Sequence, residues 1–435
     1  MIDKRIIQTT NRMVDDMNDR RLKIGIMGAR MGGSHAGCFK ALKDLAVVTA
    51  VCEKEVELHG SLDHDLEPGA VYYSDFDEFI RSGIDAVVLA NYFHEHAIYA
   101  IKAFEAGVDV LSETTAAPSL AQCVELVEAA EMYGRKYMLA INCPFFSAVY
   151  NMKKMVEDGK VGKVLYGEAE YLHADEANID SKLEVKKITN IDMDNLHWRQ
   201  TMPKCYYNMH TLGTLMYITN TLPVSVYCSA IRDEEFCAKQ SKATDCPGAV
   251  VITKMNDESV FHTTGCSNYG PTSKWYRLNC ENGCMETERY DYKEQRFIWA
   301  KRADYMESSL PSGSVSGLEN EEIAKIKKYA DTSHHGGINF YTAYHFVKYL
   351  LGEEECVFDV YRAATLSAAG ILAWYSALTG KEFRIPDFKN AEDRDKIRYD
   401  WRTPMAKSQK DITLPFRLSD KDKFDLYDSK YGFGL

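Results

Sequence analysis

The chain has 435 residues, enough for two or three ordinary domains, and its 46% hydrophobic and 27% charged content excludes the disordered and fibrous classes. Fifty-two Lys and Arg against 64 Asp and Glu give a net charge of −12, which repels phosphate backbones and anionic lipid. Neither nucleic acid nor a membrane is therefore an expected partner, and any anionic ligand needs a local positive pocket.

In chain order, residues 1–20 (MIDKRIIQTTNRMVDDMNDR) read as a charged amphipathic helical extension, too polar for a signal peptide. No apolar run reaches membrane length, and the expected location is the cytoplasm. From residue 21 to 145, short apolar runs (KIGIMG, VVTAVCE, DAVVLAN, VDVLSE, YMLAIN) alternate with helical stretches, including His94–Ala106 and LAQCVELVEAAEMYG. That alternation predicts an α/β unit, a Rossmann-type doubly wound parallel sheet with helices on both faces. From 146 to 388 the pattern changes to VLYGEAEYLH, VSVYCSAI, AVVITKM, SVFHTTGCSN, WYRLNC, CMETE and RFIWAK separated by turns, then two helices, FYTAYHFVKYLLG and DVYRAATLSAAGILAWYSALTG. This predicts an α+β domain with an open, largely antiparallel sheet. Residues 389–435 form a polar tail.

Twelve cysteines are scattered, with Cys52, Cys228 and Cys266 inside apolar runs, the pattern of buried free thiols in a reducing compartment. Cys280 and Cys284 flank Glu-Asn-Gly, a hairpin turn signal, and no second pair follows at zinc-site spacing, so no metal is expected.

Between the first strand and first helix lies Gly28-Ala29-Arg30-Met31-Gly32-Gly33, followed by Ser34-His35. Glycines there let the backbone turn tightly and approach a pyrophosphate, which the helix N-terminus favours. Arg30 takes the place of the middle glycine of G-x-G-x-x-G, unless the loop is a residue shorter and runs from Gly28 to Gly32. Arg30 would add positive charge beside the phosphates; the alternative is that the turn serves only strand-to-helix geometry. About twenty-five residues on, VVTAVCE ends in Glu53, whose carboxylate suits an adenosine ribose diol and repels a 2′-phosphate, which favours NAD over NADP.

The glycine loop with His35, the segment DAVVLANYFHEHAIYAIKAFEAGVDVLSE, AEMYGRKYMLAIN and the turn EDGKVGKV together resemble the glucose-fructose oxidoreductase, inositol dehydrogenase and rhizopine-catabolism (Gfo/Idh/MocA) family over most of residues 22–388. The resemblance implies NAD(P)-dependent hydride chemistry on sugars or cyclitols, with Asn91, His96, Glu113 and Asn142 completing the cofactor site. It also implies a homodimer or homotetramer built on the open sheet. Most of the family has Glu-Lys-Pro where this chain has Glu113-Thr114-Thr115, and that lysine contacts the hydroxyl being oxidised. The lysine is missing here. Tyr207-Asn-Met-His210-Thr-Leu-Gly213, AEYLHAD, His334-His335-Gly336-Gly337 and RIPDF resemble the NAD-dependent glycosidase branch, typified by bacterial α-N-acetylgalactosaminidases, which also lacks it. That branch carries Glu-Asn ahead of a tyrosine where this chain has Ile141-Asn142 and Phe145.

Strand periodicity places Tyr171, His173 and Asp175 on one face of VLYGEAEYLHAD. If CYYNMHTLG opens a helix, Tyr207 and His210 share a face three residues apart. The bland alternative is a packing tyrosine and a satisfied core histidine. Trp198-Arg199 would stack on or bond a sugar, or Arg199 forms a structural ion pair; His335 would touch substrate or cap the following helix. The resemblance implies oxidation at C3 of a glycoside, loss of the C2 proton and the C1 substituent, hydration and re-reduction, with His210 near the C3 hydroxyl, Tyr171 near C2, and His173 and Tyr207 assisting. Two other readings stay open: a sugar or cyclitol dehydrogenase that stops at the ketone, and a ligand-sensing protein without catalysis.

Overall fold

The computed structural model describes residues 21–173, 198–240, 242–289, 297–301, 314–315, 330, 337–405 and 412–423. The expected helix over 1–20, and the candidates Asp175 and His335, lie outside them. The first sheet comprises β1 (Leu22–Met27), β2 (Ala46–Cys52), β3 (Val71–Tyr73), β4 (Ala86–Leu89), β5 (Asp109–Ser112) and β6 (Tyr137–Leu139) in the order β3-β2-β1-β4-β5-β6. All its pairings are parallel. Helices cover both faces, so β2 and β4 carry near-continuous apolar runs, AVVTAVC and AVVL. The order reverses between β1 and β4, and α1 (Ala29–Ala41) starts at that switch point, where such sheets bind nucleotides. The helices α2 (His96–Glu105) and α3 (Leu120–Tyr133) follow. Ser119 caps α3, accepting from the Gln122 amide at 3.4 Å, and left-handed Gly134 ends it.

A further helix, α4 (Ser147–Glu157), leads into the second sheet. Its nine strands are β7 (Val164–Leu172), β8 (Pro223–Ala230), β9 (Ala249–Met255), β10 (Val260–Ser267), β11 (Ser273–Cys280), β12 (Gly283–Thr287), β13 (Phe297–Lys301), β14 (Ser314–Val315) and β15 (Phe383–Arg384), ordered β14-β13-β12-β11-β7-β10-β9-β8-β15. Neighbours are antiparallel except β7 and β10, which are parallel. Cys280 and Cys284 end and begin the β11–β12 hairpin, and all twelve cysteines are free. On β7, Gly167, Ala169 and Tyr171 are buried, while Tyr166, Glu168 and Glu170 on the opposite face are only half-buried.

The covered face packs on α5 (Thr214–Thr219) and, through β8, on the long helix α7 (Val360–Thr379), which follows α6 (Ile338–Leu351) in the chain. α7 touches both α3 and β8, so Leu126, Val127, Val226, Leu366, Leu372 and Trp374 share one continuous core. Each such side chain contributes roughly 1.5–3 kcal/mol of burial. Small residues let α7 come close: a Cβ on Gly370 would lie 2.8 Å from the Tyr206 carbonyl oxygen. α6 packs its Phe340, Ala343 and Phe346 against α1.

Beyond β15 the described part of the tail folds back. In α8 (Ala391–Ile397) and the residue after it, Arg394 pairs with Glu131 at 2.7 Å and Arg398 with Glu128 at 2.6 Å, both on α3. Leu414 and Phe416 are buried, the Trp374 indole donates to the Pro415 carbonyl at 2.6 Å, and the Leu418 and Ser419 amides donate to buried Asp245. No helix among the described residues is long and apolar enough to cross a membrane.

Candidate active site

The crevice begins at Gly28, whose φ of +92° suits glycine and where a Cβ would stand 2.7 Å from the Ala90 carbonyl oxygen of the adjacent strand end. A Cβ on Gly32 would meet Ile26 Cγ2 at 2.4 Å, so this glycine serves close helix-to-strand packing. The loop thus turns at Gly28 and packs at Gly32, with Ala29 to Gly33 already in α1. Arg30 points to Glu55, 2.7 Å away, and Met31 is exposed. Glu53 ends β2 and accepts from the Ala29 amide at 2.7 Å, which brings the carboxylate to the start of α1. It sits where a ribose bound beside this loop would present its diol.

The opposite end of the crevice gathers Asn91, Glu113 and Asn142, after β4, β5 and β6. Glu113 bonds His35 Nε2 at 2.7 Å. Burial pushes its carboxyl up, but that bond and the surrounding imidazoles prevail and hold it below the usual carboxylate range. Asn142 donates to Asn339 of α6 at 2.8 Å, and Asn339 donates to Ser34 of α1 at 2.8 Å. His96 has Nδ1 2.7 Å from the Thr115 carbonyl and Nε2 3.3 Å from that of Asn91; the neutral ring donates to one of them, the shorter contact to Thr115 being the better bond. Burial pushes its pKa down.

Three buried polar atoms on this crevice, Asn91 Oδ1, Asn142 Oδ1 and His35 Nδ1, have no hydrogen-bond partner among the described residues. Each such atom costs ~1–3 kcal/mol, which a ligand carrying donors and acceptors offsets. A loop that only a glycine can turn, a carboxylate at the ribose position and orphaned amide oxygens at the far end fit a dinucleotide.

Over the crevice stands the second sheet. Thr114, at the family's lysine position, donates to the Tyr207 hydroxyl at 3.0 Å, and that hydroxyl is 3.2 Å from His210 Nε2. His210 Nδ1 is 3.5 Å from Cys143 Sγ. The Tyr171 ring lies 4.8 Å from the His210 ring and 5.9 Å from that of His173. His210 sits in a wide turn over Met209–Gly213 ahead of α5, with its carbonyl held by Tyr276 at 2.9 Å and Thr214 at 2.7 Å. Burial pushes the phenols of Tyr171 and Tyr207 well up, so both are donors at neutral pH.

The structure therefore brings Tyr171, His173, Tyr207 and His210 together. Trp198 is stacked on Phe93 at 5.0 Å with the Arg199 guanidinium over its ring, and Phe93 in turn touches Tyr207. Trp198 thus buttresses the tyrosine, and its ring offers no open platform for a sugar. His35 as the partner of Glu113, Cys143 as the neighbour of His210, and Lys274 beside Tyr171 were not foreseen as site residues. Only His35 had a signal, its place behind the glycine loop.

The fold and crevice define a Rossmann-type nucleotide-binding protein with a second, sheet-based domain. A family model described as an oxidoreductase family with an NAD-binding Rossmann fold matches residues 22–141. Over those residues the chain is similar to the Gfo/Idh/MocA oxidoreductases, and the crevice fits the cofactor NAD. The chain is 33% identical over 146 residues to a 2,7-anhydro-N-acetylneuraminate hydratase of Mediterraneibacter gnavus, covering 32% of this chain and 37% of that protein. It is 27% identical over 244 residues to a glycosyl hydrolase family 109 protein of Shewanella baltica, covering 54% of this chain and 50% of the relative. The match thus spans half or less of the length of these curated relatives. Among solved structures, an oxidoreductase domain protein from Kribbella flavida superposes with a TM-score of 0.69 at 17% identity, over 84% of this chain and 99% of the other.

Proposed function

We propose that the protein is an NAD-dependent, sugar-active oxidoreductase working as a glycosidase: C3 of a bound glycoside is oxidised, the C2 proton and C1 substituent are eliminated, water adds, and C3 is reduced again. NAD, when bound, supplies the chemistry of accepting and returning the hydride. The observation that carries this reading is the hydrogen-bonded chain Thr114–Tyr207–His210 at the position of the family's lysine. Because Thr114 donates to the Tyr207 oxygen, the Tyr207 proton is left for His210 Nε2. A sugar hydroxyl entering beside Thr114 gives its proton to this chain, with Nε2 as the terminal acceptor, and recovers it in the closing reduction. Imidazole suits that two-way transfer near neutral pH.

Tyr171 and His173 take the neighbouring carbon. The Tyr171 phenol, kept protonated by burial, donates to the developing enolate oxygen, and His173 accepts the C2 proton. The relatives named as glycosyl hydrolase family 109 proteins support this over a plain dehydrogenase. We also assign a homodimer or homotetramer contact to the open sheet face, where Tyr227, Ile252 and Val260 are exposed; light scattering of the purified chain tests it.

The deciding experiment incubates the protein with a panel of aryl glycosides and substoichiometric NAD in D2O. Aglycone release over many turnovers per NAD, no net NADH absorbance and deuterium at C2 of the product are expected. Steady growth of NADH without aglycone would establish the dehydrogenase instead, and absence of both across the panel would leave a ligand sensor.

A further inference from the structure

Lys274 lies on β11 directly opposite Tyr171 on β7, on the face that carries the proposed sugar site. Its ammonium is 5.4 Å from the centre of the Tyr171 ring and 5.3 Å from that of Phe146, and close enough to Cys143 to offset part of the upward push that burial gives that thiol. Two aromatic faces hold a cation in place without neutralising it, and an ammonium retains three donors. No carboxylate pairs with Lys274 among the described residues. By contrast Arg277 and Lys254, on the sheet's open face, are each paired with a glutamate. In a chain of net charge −12, a half-buried ammonium at a site wall with no counterion among the described residues is the local positive pocket that an anionic ligand requires.

We propose that Lys274 binds an anionic substituent of the substrate, and that the substrate class is a sugar acid bearing a carboxylate. One fixed positive charge matches a monoanion; among the described residues no helix N-terminus or second unpaired cation joins it, as a dianionic phosphate would call for. The inference rests on the sugar-site reading above, and binding separates the two.

The test titrates the full chain, loaded with NAD, with D-glucuronate, D-galacturonate and N-acetylneuraminate, with the neutral sugars D-glucose, D-galactose and N-acetylmannosamine, and with glucose 6-phosphate, by calorimetry. At least one acid is expected to bind about tenfold or more tightly than its neutral partner, the scale of a charge-assisted hydrogen bond. Lys274→Met should abolish that preference and Lys274→Arg should keep most of it, with NAD affinity and melting temperature unchanged in both; Lys274→Gln serves if the methionine variant fails to fold. Absence of any acid preference, including absence of binding by every acid, overturns the inference. So does a preference that survives loss of the ammonium, or tighter binding of glucose 6-phosphate than of all the acids. Failure of the glycosidase reading shows elsewhere, as missing aglycone release and missing C2 exchange while the acid preference persists.

Discussion

The Thr114 hydroxyl donates to the Tyr207 oxygen, which leaves the Tyr207 proton for His210 and forms the proposed relay. Tyr207→Phe deletes the middle of that relay and leaves the ring packed on Phe93. Aglycone release at saturating substrate should therefore fall by about 10²–10⁴-fold, with KM and melting temperature little changed. Part of this site was legible in the sequence. Alternation along β7 singled out Tyr171 and His173, and a three-residue spacing joined Tyr207 to His210. The position of Lys274 was not legible, because it depends on the register of β11 against β7, a pairing between strands a hundred residues apart. The Arg30 side chain pairs with Glu55, a contact that the glycine spacing could not reveal.

At the scale of elements, the parallel sheet announced itself through apolar runs of strand length separated by helical periods. The edge strand Val71–Tyr73 is too short for such a signal. The second sheet read as antiparallel hairpins, and the parallel β7–β10 contact escaped that reading because its two strands are far apart in sequence. The helix α4 is visible beforehand only through its closing turn, EDGKVGKV. α7 carries a more specific consequence. Its approach to the turn Lys204–Tyr206 leaves no room beside Gly370, and the obstacle is main chain, which cannot rotate away. Gly370→Val should cost about 1–3 kcal/mol, seen as a lower melting temperature, and should also reduce kcat, because the displaced segment carries Tyr207.

For the whole molecule, the tail closes the structure. Composition marked residues beyond 388 as polar and nothing more, since two ion pairs to α3 and scattered buried apolar side chains leave no periodic pattern to read. Asp393 anchors this region. Burial pushes its carboxyl up, but bonds from Arg384, the Asp387 amide and Lys396 outweigh burial and hold it far below the ordinary carboxylate range. A carboxyl depressed in the fold contributes stability that is complete above its unfolded pKa of about 3.9 and is lost as pH falls through the folded value. Asp393→Asn should therefore melt below the wild type at pH 7, and the gap should narrow progressively as the pH is lowered beneath about 4. The chain of amides from Ser34 through Asn339 to Asn142 acts over the same distance in another way. It ties α1 to the chain just after β6 through α6, so any displacement of that one helix is felt at both of these walls of the crevice together.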